Sequence, residues 1–175
     1  MPTFFTADPH FGHINIIEYC HRPFANVQEM DEALIKNWNN VVGQYDTVYI
    51  LGDFSFRSKN IGEYAPRLGG KKLLIPGNHD DGNLGELAKY MTVLPPLVEE
   101  HIGGHRITLC HYAMRTWNGS HRGTWHLHGH SHGGLLETGL ATDVGVDAHN
   151  YTPISFERVS EILSSREFAT VQGKR

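Results

Sequence analysis

The sequence Leu73-Leu74-Ile75-Pro76-Gly77-Asn78-His79-Asp80 joins an apolar run to a polar turn. The three apolar residues are typical of a short buried strand, and the proline and glycine break that strand and begin a tight turn. The turn then presents an amide, an imidazole and a carboxylate, each of which can bind a metal ion or hydrogen-bond to a ligand. By itself the stretch is equally consistent with an ordinary hydrophilic loop, because asparagine and aspartate favour turns.

The same construction recurs elsewhere in the chain. Strand-like runs also lead into Asp8-Pro9-His10, Gly52-Asp53, His111 and Gly129-His130-Ser131-His132. Side chains at strand ends converge if the strands lie side by side in one sheet, and open α/β sheets usually place their sites at this edge. The sequence therefore predicts one site built from distant segments.

Composition and charge limit the classes of function. A chain of 175 residues fits one domain with its own core, so residues 1–175 are expected to form a single domain. The net charge of −4 argues against stable binding of duplex nucleic acid, although it does not exclude nucleotides. No apolar run is long enough for a membrane span, no secretory signal is recognisable, and the two cysteines are widely separated. We therefore expect a cytoplasmic protein that does not enter membranes.

Seven side chains at the predicted strand ends are candidate metal ligands: Asp8, His10, Asp53, Asn78, His111, His130 and His132. Asp8 and His10 are two residues apart, so they point to the same side of an extended segment and can bind one cation together. One carboxylate, such as Asp53, can bridge two cations through its two oxygens. Nitrogen and oxygen ligands without a thiolate favour transition metals over Ca²⁺. We expect two divalent cations per chain, with Mn²⁺ as the first choice and Fe, Zn²⁺, Ni²⁺ or Mg²⁺ as alternatives.

A pair of cations about 3.5–4 Å apart suits in-line displacement at phosphorus. Such a pair polarises the phosphoryl oxygens and lowers the pKa of a bridging water, so that hydroxide attacks without a protein nucleophile. His79, next to Asn78, is the candidate catalytic acid or transition-state donor. Asp80 is the second candidate catalytic residue and would orient the imidazole of His79. The alternative for Asp80 is that it stabilises the turn.

The polar blocks at the strand ends, taken in order, resemble the pattern of the calcineurin-like metallophosphoesterase family. These blocks are Asp8-x-His10, Gly52-Asp53, Gly77-Asn78-His79-Asp80, His111 and Gly129-His130-x-His132. Three further segments are similar to those of a group of small bacterial and phage phosphoesterases. They are Phe11-Gly12-His13, Arg22-Pro23-Phe24 and Val144-Gly145-Val146-Asp147. The resemblance implies an α+β fold, a four-layer α/β sandwich in which two central mixed sheets are flanked by helices.

The resemblance also implies a ligand set for each metal. One cation would be held by Asp8, His10, Asp53 and His132, and the other by Asp53, Asn78, His111 and His130. The expected reaction is hydrolysis of a phosphomonoester or phosphodiester, and the partner is a phosphorylated small molecule or nucleotide. Two alternatives remain open: a non-catalytic metal-binding scaffold of the same fold, and a mononuclear metal hydrolase.

Other residues have weaker functional claims. His13, at the start of a predicted helix, either contacts the substrate or serves as a cap or surface residue. Arg22 either binds a substrate phosphate or is simply solvated. The basic loop that contains Arg115 and Arg122 either clamps a second phosphate or is ordinary surface. Asp147, near the end of the chain, is a further candidate to support the ligands.

Local patterns predict several elements away from the site. A helix is expected after Asn26, because Glu29 completes a capping box and apolar residues follow at helical spacing. Further helices are expected over residues 61–68 and 84–91, and a final helix after Ser155. A β-hairpin is expected over residues 97–110 and a strand over residues 139–147.

Overall fold

A computed structural model of the protein describes residues 1–56 and 58–166. Its strands are β1 (Thr3–Thr6), β2 (Thr47–Ile50), β3 (Lys71–Leu74), β4 (Thr92–Val93), β5 (Leu97–Ile102), β6 (His105–Cys110), β7 (Trp125–His128), β8 (Ala141–Asp143) and β9 (Ile154–Ser155). Its α-helices are α1 (Ile14–Tyr19), α2 (Val27–Val41), α3 (Ser58–Tyr64), α4 (Leu84–Leu87) and α5 (Phe156–Ser164).

The strands form two mixed sheets. The first sheet has the order β4-β3-β2-β1-β9, in which β1 to β4 are parallel and β9 is antiparallel to β1. The second has the order β5-β6-β7-β8, in which β5 and β6 form the predicted hairpin and β6, β7 and β8 are parallel. The predicted α+β class, with two mixed sheets flanked by helices, is confirmed.

Both faces of the first sheet are buried, which explains its continuous apolar strands. Phe4, Val48 and Ile50 face a core that also contains buried residues of α1, α2, α3 and α4. Their neighbours Phe5 and Tyr49 face the opposite way, into a second core that is shared with the second sheet and with α5. The carboxyl ends of the parallel strands are left at one edge, where the ligand loops begin.

Capping fixes where the two longest helices begin. The side chain of Asn26 accepts a hydrogen bond from the N–H of Glu29 (2.9 Å), and Glu29 in turn accepts the N–H of Ala25 (2.9 Å). The side chain of Ser155 caps α5 by accepting the N–H of Arg158 (3.3 Å). Both predicted caps are confirmed.

Among the described residues, no helix combines the length and the apolar character that a bilayer crossing demands.

Several predicted element bounds are wrong. The helix expected over residues 61–68 begins at Ser58 and ends at Tyr64, where Pro66 forces a 3₁₀ turn. The helix expected over 84–91 ends at Leu87, because the N–H groups of Lys89 and Tyr90 bond three residues back and tighten the chain into turns. The strand expected over 139–147 is confined to β8 and is followed by a 3₁₀ turn at Val146–Ala148.

Candidate metal centre

Most of the candidate ligands lie on strained backbone at the ends of parallel strands. Five of them have left-handed φ values: 57° at Asp8, 52° at His10, 56° at Asp53, 65° at His130 and 48° at His132. Such a conformation costs a non-glycine residue roughly 1 kcal/mol or more. Strain of this kind is found where a functional arrangement demands it. Its concentration in the predicted ligand loops, which follow strands of both sheets, marks this edge of the fold as a site.

Asp8, His10 and His132 form the first cluster of candidate ligands. Their ligand atoms lie within 4.8 Å of one another, and the rings of His10 and His132 stack with centroids 5.4 Å apart. Oδ2 of Asp8 accepts the N–H of His130 (2.9 Å), but Oδ1 has no hydrogen-bond partner, and neither ring nitrogen of His10 has one. Buried polar atoms normally have partners, so this cluster is incomplete without a further group.

Asp53, His111 and His130 form the second cluster, again with ligand atoms within 4.8 Å. Nδ1 of His111 is 2.7 Å from the carbonyl oxygen of Leu51 and therefore carries the proton. Its Nε2 then presents a lone pair, yet it faces Oδ1 of Asn78 at 3.1 Å and Oδ2 of Asp53 at 3.6 Å. Three electron-rich atoms that converge in this way repel one another unless a cation lies between them.

Asp53 joins the two clusters. Its Oδ1 accepts the backbone N–H of His79 (2.9 Å), which fixes the carboxylate. Its Oδ2 lies 3.5 Å from Nε2 of His10, in the first cluster, and 3.6 Å from Nε2 of His111, in the second. One oxygen atom is therefore within reach of both groups of ligands.

Burial sets the charge state of the enclosed ligands. Desolvation lowers the pKa of His10 well below its usual value and also lowers the pKa of His111. These imidazoles are therefore neutral, which is the form that binds metals. Desolvation, with the nearby charge of Asp53, raises the pKa of Asp8 well above its usual value. A bound cation would supply the counter-charge that the Asp8 carboxylate lacks.

Two glycines of the predicted blocks are required by close packing against the ligands. A Cβ atom on Gly52 would lie 2.4 Å from Nδ1 of His111, and one on Gly77 would lie 2.3 Å from Oδ1 of Asp53. Both separations are far below van der Waals contact. The glycines therefore allow the ligand side chains to reach their places.

Arg22 does not face a substrate. Its side chain is buried and donates from Nε and Nη2 to the two carboxylate oxygens of Asp147, both at 2.8 Å. It also donates to the carbonyl oxygens of Asp8 (2.8 Å) and Pro9 (3.0 Å). The predicted role in binding a substrate phosphate is wrong, because these bonds already occupy the guanidinium group.

Asp147 supports the ligands, a role that the sequence pattern indicated only weakly. Its Oδ2 lies 2.7 Å from Nδ1 of His132, so it holds that imidazole with Nε2 facing the first cluster. Burial opposes its ionisation, but the hydrogen bonds from His132 and Arg22 outweigh burial and lower the pKa of Asp147.

Asp80 does not orient His79. Its Oδ2 accepts the N–H groups of Asp53 (2.8 Å) and Gly77 (2.9 Å), and its Oδ1 accepts that of Phe54 (3.1 Å). The predicted contact with the imidazole is therefore wrong, and the alternative of turn stabilisation is correct. Asp80 ties the loop after β2 to the loop after β3, and burial raises its pKa despite these bonds.

His79 lies at the mouth of the site. Its side chain is 40% exposed, and Nε2 is 4.0 Å from Oδ2 of Asp53. Its ring centroid is 5.2 Å from that of His10. The imidazole is thus close to the atom that joins the two clusters while remaining accessible to a ligand from solvent.

His13 occupies the N-cap position of α1 without capping it through its side chain, and it is not a surface residue. It is buried, makes no capping hydrogen bond through its side chain, and stacks on Phe56 with ring centroids 4.1 Å apart. Its ring is 5.4 Å from that of His10 and 6.1 Å from that of His79. His13 therefore extends the cluster of imidazoles beyond the seven candidate ligands.

The basic loop after His111 lies at a separate cavity. That cavity has a volume of about 410 Å³ and lies between residues 113–120 and 135–141, with His128 in its wall. Arg115 lines it, and the described residues around it include none of the candidate ligands. The role of this loop in clamping a second phosphate therefore stays a prediction.

Comparison with known proteins identifies a relative of similar length. No family model matches the sequence. The uncharacterized protein MJ1445 of Methanocaldococcus jannaschii is 35% identical over 167 residues, which cover 90% of this chain and 88% of that protein. The chain belongs to the MJ1445 family.

Two solved structures resemble the fold of this MJ1445 family member. The protein of unknown function AQ665 from Aquifex aeolicus matches with a TM-score of 0.74 and 24% identity, over 92% of this chain and 98% of that one. This match shows a shared fold. YfcE, a phosphoesterase from E. coli, matches more weakly, with a TM-score of 0.49 and 15% identity over 83% of this chain and 78% of that one.

Proposed function

We propose that this protein is a phosphoesterase whose two ligand clusters, joined by Asp53, would hold two divalent cations. One observation carries the proposal: Oδ2 of Asp53 is 3.5 Å from Nε2 of His10 and 3.6 Å from Nε2 of His111, and these imidazoles belong to different ligand clusters. A single cation needs only one such cluster. Two clusters that share one carboxylate are the arrangement expected for a pair of cations acting at phosphorus.

The donors fit such a pair. One cation would be held by Asp8, His10 and His132. The other would be held by Asn78, His111 and His130. Asp53 would contribute to both sets. The unpartnered Oδ1 of Asp8 and the unpartnered nitrogens of His10 support this assignment, because a cation would satisfy them. When bound, the cations would act as Lewis acids on the phosphoryl group and make water more acidic. Mn²⁺ is proposed as the first choice of metal, with Fe, Zn²⁺, Ni²⁺ or Mg²⁺ as alternatives, because nitrogen and oxygen ligands suit several of these ions and cellular supply then decides among them.

His79 is proposed as the acid or transition-state donor. Its backbone N–H donates to Oδ1 of Asp53 (2.9 Å), which fixes its position relative to the shared carboxylate. Its partly exposed imidazole can donate to a phosphoryl oxygen or protonate the leaving oxygen. The substrate is proposed to be a phosphomonoester or phosphodiester, nucleotide-derived as developed below.

Replacing Asp53 by asparagine tests the proposal. In Mn²⁺, the rate of hydrolysis of bis(p-nitrophenyl) phosphate should fall by about a hundredfold or more, since the amide is neutral and bridges poorly. Asp81→Asn is the matched control, because Asp81 is an exposed aspartate that follows the same turn, and its rate should be unchanged. Near-normal turnover of Asp53→Asn would contradict the proposal.

Metal counting on the same proteins separates the alternatives. The unmodified protein should bind two equivalents of Mn²⁺ per chain. One equivalent together with activity would favour a mononuclear hydrolase. Two equivalents with no hydrolysis of any compound in a panel of phosphate esters would favour a scaffold. Measuring released phosphate separately from ester cleavage distinguishes a monoesterase from a diesterase.

A further inference from the structure

A second cavity opens beside the metal centre. It has a volume of about 580 Å³ and is lined by His13, Asn15, Gln28, Phe56, Asn60 and Glu63, among others. This volume is in the range of small-molecule sites. His13 belongs both to this cavity and to the imidazole cluster, since its ring is 5.4 Å from His10 and 6.1 Å from His79. The cavity therefore begins where the metal centre ends, on the side of His79.

The lining of the cavity on the side of the site is firmly packed. The rings of His13 and Phe56 stack almost in parallel, at 7°. Asn60 lies against the backbone of Gly12, where a Cβ atom would meet its Nδ2 at 1.9 Å. The N–H of Gly12 is held in turn by the buried carboxylate of Asp31, at 3.1 and 3.2 Å. A ligand would thus meet a preformed surface, which lowers the entropic cost of binding.

The chemistry of the lining selects the class of ligand. Asn15, Gln28 and Asn60 each offer a paired donor and acceptor, the groups that match the edge of a nucleobase. Phe56 is 38% exposed and supplies an aromatic surface. The described lining of the cavity also contains the charged residue Glu63. Its carboxylate can accept hydrogen bonds from hydroxyl groups but repels a phosphate. The cavity suits a neutral, hydroxyl-bearing heterocycle and disfavours an anion.

We propose that this cavity binds the leaving group of the phosphoester, and that the leaving group is a nucleoside without a second phosphate. The inference rests on the proposed function. In the reaction, the oxygen of water forms a bond to phosphorus while the bond from phosphorus to the nucleoside oxygen breaks. The leaving oxygen keeps the electron pair and takes up one proton, and the attacking water releases one proton, so that the step balances.

Binding of the product nucleoside tests the cavity without relying on turnover. Adenosine, guanosine, cytidine and uridine are titrated into the Mn²⁺-loaded protein by calorimetry. Gln28→Ala should weaken the binding of the preferred nucleoside by about three- to tenfold, the effect of one lost hydrogen bond. Gln44→Ala is the matched control: it removes an exposed glutamine beyond the far end of α2 and should leave the affinity unchanged.

A second arm tests the role of Glu63. The unmodified protein should hydrolyse a nucleoside 5′-monophosphate with a higher kcat/KM than the corresponding 3′,5′-bisphosphate. In Glu63→Gln the ratio of the two kcat/KM values should be about fivefold smaller, because the repulsion in water between the Glu63 carboxylate and the second phosphate is removed. If Glu63→Gln leaves the kcat/KM ratio of the monophosphate to the bisphosphate unchanged, the inference that Glu63 excludes a second phosphate is overturned.

The outcomes separate this inference from the proposed function. Hydrolysis of aryl phosphates without binding of any of the four nucleosides would overturn the inference and leave the phosphoesterase intact. Equal affinity of Gln28→Ala and the unmodified protein would also overturn it. Nucleoside binding with no hydrolysis of any phosphate ester would contradict the proposed function and leave a nucleoside site.

Discussion

Replacing Asp8 by asparagine should stabilise the metal-free protein and remove its stabilisation by Mn²⁺. Asp8 is fully buried, and its Oδ1 has no hydrogen-bond partner. Burial and the charge of Asp53 raise its pKa in the folded state. A carboxyl whose pKa is raised on folding favours the folded state below the unfolded pKa of about 3.9, and this contribution is lost as the pH rises through the folded pKa. The buried Asp8 side chain therefore destabilises the folded, metal-free protein near neutral pH.

The size of the effect follows from the environment of the two oxygens. The amide oxygen of asparagine can still accept the N–H of His130, which is 2.9 Å from Oδ2 in the unmodified protein. The charge is removed, while the new NH₂ group must still be desolvated. Relief of one unsatisfied charged atom is worth about 1–3 kcal/mol. In a chain of this size that corresponds to a rise in melting temperature of roughly 2–10 °C.

Urea unfolding in EDTA measures this change, at about pH 7.5 and at about pH 4.5, the second value lying near the unfolded pKa, where little of the stability has yet been lost. The gain should be larger at the higher pH. Asp143→Asn is the matched control, because Asp143 is also buried but accepts hydrogen bonds from Ser131 (2.7 Å), Gly133 (2.9 Å) and Gly145 (2.7 Å). That change should destabilise the protein. The reasoning is refuted if Asp8→Asn destabilises the metal-free protein at both pH values, or if Mn²⁺ raises its melting temperature as much as that of the unmodified protein.

Three further substitutions separate the roles of neighbouring residues. His79→Ala should keep its Mn²⁺ content but lose about 10²- to 10⁴-fold in kcat; loss of metal would show that this histidine is a ligand. Asp147→Asn should weaken Mn²⁺ binding by about 10- to 100-fold in a calorimetric titration, because His132 loses its orienting carboxylate; unchanged affinity would contradict that role. Asp80→Ala should lower the free energy of unfolding by about 3 kcal/mol or more, since three buried N–H groups lose their acceptor; a loss below about 1 kcal/mol would show that water replaces it.

The sequence was sufficient to predict which residues converge because the relevant signals are local. Apolar runs that end in Asp, Asn or His identify strand ends, and parallel pairing brings those ends to one edge. Asn26 and Ser155 were recognisable as caps for the same reason: a capping bond spans only three residues.

Side-chain direction was not predictable in this way. Asp80 follows His79 directly, yet its carboxylate turns inward to accept three N–H groups from two loops. Arg22 looks like a solvated residue after a helix, but its partner Asp147 is 125 residues away. Such contacts depend on how distant loops pack, which no local pattern records. The two-residue strands β4 and β9 were missed because they are too short to show periodicity.

The central claim is that two cations share Asp53, and electron paramagnetic resonance of the Mn²⁺-loaded protein tests it most directly. Two Mn²⁺ ions joined through one carboxylate are close enough for their electron spins to couple. At two equivalents of Mn²⁺ per chain, the unmodified protein should give the spectrum of a coupled pair, and Asp53→Asn should lose it. A spectrum of isolated ions from the fully loaded unmodified protein would contradict the shared carboxylate and, with it, the proposed chemistry.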